Sequence, residues 1–248
     1  MNWPAIVVAL VVLAAVPVVV LTAFRTPRRF APLFAIVRGA AQLAVLSLIL
    51  GGIITDLRWV AVALGVMAIA AVLVASGRIG FGRRGLLAAV LGVVLGTGLS
   101  GLVIFATGAI EFTPRYLLAF AGITIGNAMS IVTLAGGTFR TSTIDHWDEV
   151  EGWLALGATP RLSTRSIARE ASFSALVPSV DQTRTTGLVV LPGAFVGAIF
   201  GGLSPLEAGV FQILVLAAIL ASGAIAATVT LLIVGRTERK PIAELSRR

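Results

Sequence analysis

Glu151 stands six residues before Gly157 in Glu-Gly-Trp-Leu-Ala-Leu-Gly, and Ala158-Thr159-Pro160 follow directly. This is a docking pattern and not a bond-making one. Asp145 to Leu156 reads as a short helix whose carboxylates Asp145, Asp148, Glu149 and Glu151 crowd its first turns, where the helix dipole is positive. Trp147, Val150 and Leu154 recur at helical spacing and give it an apolar stripe. Gly157 suits the left-handed cap that ends such a helix. Thr159 then caps a second helix with Pro160 at its first position. The expected product is a helix, a sharp turn and a helix. Trp147, Glu151, Trp153, Leu156, Gly157, Ala158 and Thr159 are its contact and turn residues. A basic socket on a protein partner matches the acidic run. An amphipathic hairpin lying on lipid is the alternative, and anionic headgroups disfavour it.

A second group of polar residues falls inside apolar sequence. Thr124, Asn127, Ser130 and Thr133 recur at three-residue spacing and form a slowly drifting polar stripe. They either bond to neighbouring helices, at about 0.6 kcal/mol each, or line a pathway. Arg38 and Gln42 are one turn apart. Arg38 either snorkels to headgroups or, with Gln42, lines an inner vestibule. Asp181 and Arg184 share a face at i, i+3 and form a local ion pair or a gate. Pro178 and Pro192 can kink or break this region. The candidate pathway set is therefore Arg38, Gln42, Asn127, Ser130, Asp181 and Arg184.

Other chemistry finds no support. His146 is the only histidine and lies in the acidic helix, so no metal site can be named from it. Met67 and Met129 read as packing residues. There is no cysteine, hence no disulfide or thiolate metal site. No Ser-His-Asp set assembles at one depth, and no phosphate-binding Gly-rich loop is present. The chain itself is expected to be no enzyme and to carry no cofactor. No carboxylate is expected deep in a span, which leaves a proton relay unsupported.

These residues need elements to hold them. Of the 248 residues, 58% are hydrophobic and 12% charged, and mean hydropathy is +1.03. Soluble domains average about 25% charged residues, so the solvent implied here is lipid. Apolar runs without alternation select helices over strands. About seven spans follow, over roughly 4–24, 32–54, 59–77, 86–107, 114–137, 186–203 and 206–235. The fold class expected is all-α: a polytopic membrane protein, one transmembrane domain over 1–248, with a cytoplasmic loop at about 138–185.

Basic residues orient the spans. Seventeen of the 19 fall in connections on one side; only Arg58 and Arg115 fall on the other. The positive-inside rule then puts the N-terminus outside and the tail in the cytoplasm of a plasma-membrane protein. The net charge of +8 is accounted for by topology and anionic lipid, and needs no nucleic acid. The N-terminal run is not a secretory signal on this reading, because its arginines come after it.

Glycines at i, i+4 mark helix seams. Gly92 and Gly96, Gly122 and Gly126, and Gly193, Gly197 and Gly201 are the candidates. Each is a seam within the bundle or the face of a homodimer.

Several segments carry a resemblance. Glu151, Gly157 and an apolar Ile167 ten residues further look like the EAA coupling loop of ABC importer permeases. More closely, the chain from about Arg38 to Val234 resembles the FetB-type family of ABC permeases. That family includes bacterial iron exporters and plant aluminium-tolerance half-transporters. The matching segments are Arg38-Gly-Ala-Ala-Gln42-Leu43, Ile125-Gly-Asn127-Ala-Met129, Leu156-Gly157-Ala158-Thr159-Pro160, and the long run from Pro178 through Asp181, Arg184 and Gly187 to Leu191-Pro192-Gly193. Two departures stand out. Ala194 and Phe195 follow Leu-Pro-Gly where the family commonly has methionine, so a thioether ligand for a soft metal is missing there. Arg184-Thr185-Thr186-Gly187 replaces Lys-Thr-Val-Gly and keeps the charge.

The resemblance implies an ABC-transporter permease exporting a metal ion such as iron. It would pair with a second copy of itself and with a cytoplasmic ATPase that holds ATP and Mg. A motor-independent channel or secondary carrier for a small solute is the alternative. A membrane-embedded transferase would need clustered acids or metal ligands at the interface, and none are found.

Overall fold

The computed structural model describes residues 2–53 and 55–241. They form helices throughout: α1 (Trp3–Ala23), α2 (Ala31–Ile53), α3 (Leu57–Ile79), α4 (Gly82–Ala106), α5 (Pro114–Asp145), α6 (Trp147–Ala155), α7 (Pro160–Ser163), α8 (Arg165–Thr185), α9 (Gly193–Phe200) and α10 (Pro205–Val234). Two units divide at residue 55.

The first unit is the α1–α2 hairpin. The Asn2 side chain accepts from the Ala5 amide (3.4 Å) and caps α1. Arg25 (φ 53°) and Arg28 (φ 62°) take left-handed backbone in the reversal. The Arg29 guanidinium lies 5.3 Å above the Phe30 ring. Most side chains of α1 are exposed and aliphatic, the composition of a lipid-facing helix.

The second unit, α3 to α10, holds the core. Its tightest seam is α4 against α10. A Cβ on Gly96 would lie 2.6 Å from the Ser222 carbonyl oxygen, and one on Gly92 would lie 2.9 Å from Thr230 Oγ1. This glycine pair is thus an intramolecular seam, where missing side chains let two backbones approach. The open positions differ: nothing lies within 4 Å of a Cβ on Gly126 or Gly197. At the other end Phe105 and Phe120 meet edge to face, 5.6 Å between centroids. Ser204 and Glu207 form a capping box at the start of α10.

Five described helices are long and apolar enough to cross a membrane: α1, α3, α4, α5 and α10. The stretch Ala31–Ser47 of α2 is a shorter apolar helix. α5 has 32 residues, about 48 Å at 1.5 Å per residue, against an apolar bilayer thickness of about 30 Å. It continues past residue 137 because no proline or helix-breaking turn intervenes before Asp145.

The stretch expected to form the sixth span, 186–203, is helical only over the eight residues Gly193–Phe200, about 12 Å. That helix alone is too short to span. Ahead of it the chain turns tightly, with Gly187 at φ +87° and its amide bonded to the Val190 carbonyl at 2.9 Å.

The deeper part of this crossing comes from α8, in sequence that reads as loop. The Thr164 hydroxyl lies 2.9 Å from the Gly235 carbonyl. Twelve residues further along α8, Leu176 Cδ2 lies 3.1 Å from where a Cβ on Gly223, twelve residues earlier in α10, would stand. α8 therefore runs back antiparallel along α10, into the same depth as the apolar helices. Its inward face is Ile167, Ala171, Ala175 and Ser179, all buried and four residues apart.

Candidate functional site

Most of the candidate residues fall in two regions: the α6–α7 hairpin, and α8 with the turn that follows it.

The hairpin forms as its residues dictate. Asp148 and Glu149 lie in the first turn of α6, where the dipole favours carboxylates. Gly157 is at φ +85°. Its amide donates to the Leu154 carbonyl (3.0 Å), and the Ala158 amide donates to the Trp153 carbonyl (3.0 Å). This paired closure, with a left-handed glycine, ends α6. Thr159 is the N-cap residue of α7 in extended backbone, Pro160 is first in the helix, and no side-chain capping bond forms. The Thr159 carbonyl instead accepts from Leu162 (2.9 Å) and Ser163 (3.0 Å) amides.

The α6 stripe turns inward. Val150 is 1% exposed, and Trp147 and Leu154 pack partly buried on the main core. Trp147 is therefore a root of the hairpin and offers little outward area. The outward surface consists of Glu151, Trp153 (48% exposed), Leu156 (83%) and Leu162 (51%), with Gly157 and Thr159 exposed beside them and Ala158 half-buried. Ile167 belongs to α8 and is buried against the core.

The second arm of the hairpin is tied to the end of α10. Arg161 Nη2 donates to the Leu232 carbonyl (3.1 Å). The Thr164 hydroxyl lies near both the Gly235 carbonyl (2.9 Å) and the Pro160 carbonyl (3.0 Å), its single proton serving one at a time. Arg84 Nη1 donates to the Arg236 carbonyl (2.8 Å). Carbonyls at a helix end have no partner within the helix. Here cations and a hydroxyl supply them, with the sign the dipole favours.

On α8 the outward face is polar where its depth is greatest. Asp181 and Arg184 form an ion pair (3.8 Å) with side chains 61% and 75% exposed. By the α8–α10 register they stand roughly level with Ala218, near the middle of α10. On the inward side Ser179 Oγ donates to Asn127 Oδ1 at 3.3 Å, joining α8 to α5.

The rest of the α5 stripe is occupied with itself. Thr124 is fully buried and its hydroxyl returns to the Phe120 carbonyl (3.0 Å). Ser130, exposed, bonds to the Gly126 carbonyl (3.1 Å), and Thr133 bonds to the Met129 carbonyl (2.8 Å). Asn127, Asp181 and Arg184 thus belong to one helix pair. Ser130 is one turn along α5. Arg38 and Gln42 are exposed on α2 of the first unit. No group of three or more His, Cys, Asp or Glu side chains suited to a metal ion occurs among the described residues.

Ser179 and Arg161 were not singled out from sequence. The four-residue recurrence of small and apolar residues from Ile167 to Ser179 is the signal that α8 packs by one face. Arg161 carries none beyond its charge.

The arrangement is that of a polytopic helical membrane protein with a surface hairpin and a polar helix, α8, packed along α10. The chain belongs to the family described as "Uncharacterised protein family (UPF0014)", whose model matches residues 4–238. It is 37% identical over 186 residues to "UPF0014 membrane protein STAR2" of Oryza sativa subsp. japonica, covering 74% of this chain and 65% of that one. It is 34% identical to "Protein ALUMINUM SENSITIVE 3" of Arabidopsis thaliana, covering 74% of this chain and 68% of that one. It is 36% identical over 125 residues to "Probable iron export permease protein FetB" of Escherichia coli (strain K12), covering 50% of this chain and 48% of that one. The chain thus spans about half to two thirds of the length of these relatives. No solved structure matches it.

Proposed function

We propose that this chain is the permease subunit of an ABC-type exporter, with both units acting as one transmembrane domain. The carrying observation is the hairpin: Glu151, Trp153 and Leu156 face outward on one arm, and the other arm is bonded to the end of α10 through Arg161 and Thr164. A partner pressing on α6 moves a transmembrane helix. The partner is a cytoplasmic ATPase, which carries the ATP and Mg. The N-terminus lies outside and the tail in the cytoplasm.

The pathway runs past the broken crossing. Irregular backbone at membrane depth is tolerated only where protein buries it or water reaches it. Leu188 and Val189 in the turn are 92% and 78% exposed, and Asp181 and Arg184 are exposed beside them. A second copy of the chain gives this face both cover and a shared aqueous path. The cargo is a metal ion. The name of the E. coli relative points to iron, while the Ala194-Phe195 departure removes a soft ligand. A hard carboxylate ligand at Asp181 suits a hard cation.

The test uses the full chain and its ATPase in vesicles. ATP-dependent metal movement that stops with Gly157→Val or Glu151→Lys supports the reading; undiminished transport by both variants sinks it. A motor-independent carrier is the second reading, favoured by the Asp181 carboxylate at mid-depth. Gradient-driven movement in vesicles holding no ATPase selects it.

A further inference from the structure

Between α7–α8 and the end of α10 lies an open groove of about 360 Å³. Arg161, Arg165 and Arg169 line one wall with Ser172; Leu231 and Leu232 form the other. Arg165 and Arg169 are one helical turn apart and exposed. Arg161 spends one N–H on the Leu232 carbonyl and keeps the others. Among the described residues no carboxylate pairs with any of the three. The groove lies where α10 ends, just before Arg236, Arg239 and Lys240. The end of a helix long and apolar enough to cross a membrane, followed by cations, belongs at headgroup level.

We infer that this groove is a binding site for an anionic phospholipid, held by its phosphodiester. Guanidinium forks match phosphate oxygens in pairs, and basic pockets between transmembrane helices on the cytoplasmic side suit anionic headgroups. The apolar wall is what selects a lipid over a free anion. Leu232 is 53% exposed and continues the lipid-facing side of α10, so an acyl chain extends the contact that the phosphate begins. The site has a regulatory consequence. Arg161 and Thr164 already join the hairpin to the end of α10, and a lipid bridging Arg161, Arg165 and Leu232 stiffens that joint. The lipid assignment rests on membrane placement and stands apart from the transport reading.

The test uses the purified full chain in detergent, with phosphatidylglycerol and phosphatidylcholine as probes. Native mass spectrometry reads retained lipid, and thermal unfolding reads stabilisation. Phosphatidylglycerol is retained and raises Tm; phosphatidylcholine does neither. Arg165→Gln with Arg169→Gln, which spares the Arg161–Leu232 bond, lowers retention roughly 30-fold, from about 1 kcal/mol per basic residue near anionic lipid. Arg165→Lys with Arg169→Lys keeps the charge and loses the fork, so its retention falls between the wild type and the Gln pair. Arg25→Gln with Arg29→Gln, on the other unit, leaves it unchanged. The proposal fails if the wild-type chain shows no preference for phosphatidylglycerol, a comparison independent of how any variant folds. It fails equally if the Arg25/Arg29 pair loses as much, or if millimolar inorganic phosphate displaces the lipid.

Discussion

Arg161 Nη2 and the Leu232 carbonyl, 71 residues apart in sequence, are joined at 3.1 Å. The bond fixes the second arm of a surface hairpin to the last turn of a 30-residue transmembrane helix. The exposed side of α6 connects to α10 through a left-handed glycine, a short helix and this bond. Val150 and Trp147 root the first arm in the core, and two closing hydrogen bonds hold the turn at Gly157.

The coupling route yields the first prediction. Gly157→Val places a β-branched residue at φ +85°, a cost of about 1–3 kcal/mol confined to the turn. The bundle stays folded by circular dichroism and gel filtration. The partner's ATPase rate no longer responds to the permease, and transport falls at least tenfold. Glu151→Lys gives the same separation without touching the turn, because it reverses charge on an exposed side chain. Arg161→Ala weakens the response by loosening the joint.

Topology can be read by cysteine labelling, since the chain has no native cysteine. Thr143, an obvious cytoplasmic reporter from sequence, is fully buried and unsuitable. Thr55 and Glu111 are exposed at one set of connections, Asp148 and Glu238 at the other. Single cysteines at the first two react with an impermeant maleimide on intact cells. Those at the last two react only after permeabilisation. Labelling of Asp148→Cys from outside would reverse the orientation and remove the docking argument with it.

Much of this was readable in the residues. The left-handed Gly157, the Thr159-Pro160 restart and the inward Trp147–Val150–Leu154 stripe follow from local rules that act within one or two turns. The α8 crossing was hidden because its composition is polar: Arg169, Glu170, Asp181 and Arg184 lower its hydropathy below that of a span. What places it beside α5 and α10 is contact made far away in sequence, such as Ser179 with Asn127. The same holds for the glycines. Gly92, Gly126 and Gly197 look alike as residues, and only the packed neighbours separate the closed seam from the open faces.

That separation gives a prediction about assembly. Gly96→Leu drives side-chain atoms into the Ser222 backbone, and overpacking of this kind costs about 1–3 kcal/mol or more. The variant expresses poorly or melts early. At Gly126 and Gly197 an added Cβ has open space within 4 Å, so Gly126→Leu and Gly197→Leu start without the clash met at Gly96. These variants keep the monomer's Tm within a few degrees while the dimer fraction, measured by mass photometry, drops. A complex of one permease and one ATPase for the wild-type chain would overturn the paired arrangement.

The last prediction separates stability from transport at Asp181. The Asp181–Arg184 pair is exposed and 3.8 Å apart, and exposed pairs contribute about 0–1 kcal/mol. Asp181→Asn should therefore leave Tm nearly unchanged. If the outward face of α8 lines the pathway, the same substitution removes a charged oxygen ligand at mid-depth, and metal transport falls at least tenfold with ATPase coupling intact. Ser179→Ala provides the contrast. It deletes one 3.3 Å hydrogen bond on the buried side, so it lowers stability by about 0.5–1.5 kcal/mol and leaves transport largely in place. Should Asp181→Asn lose stability and keep transport, α8 is a packing helix and the pathway lies on another face.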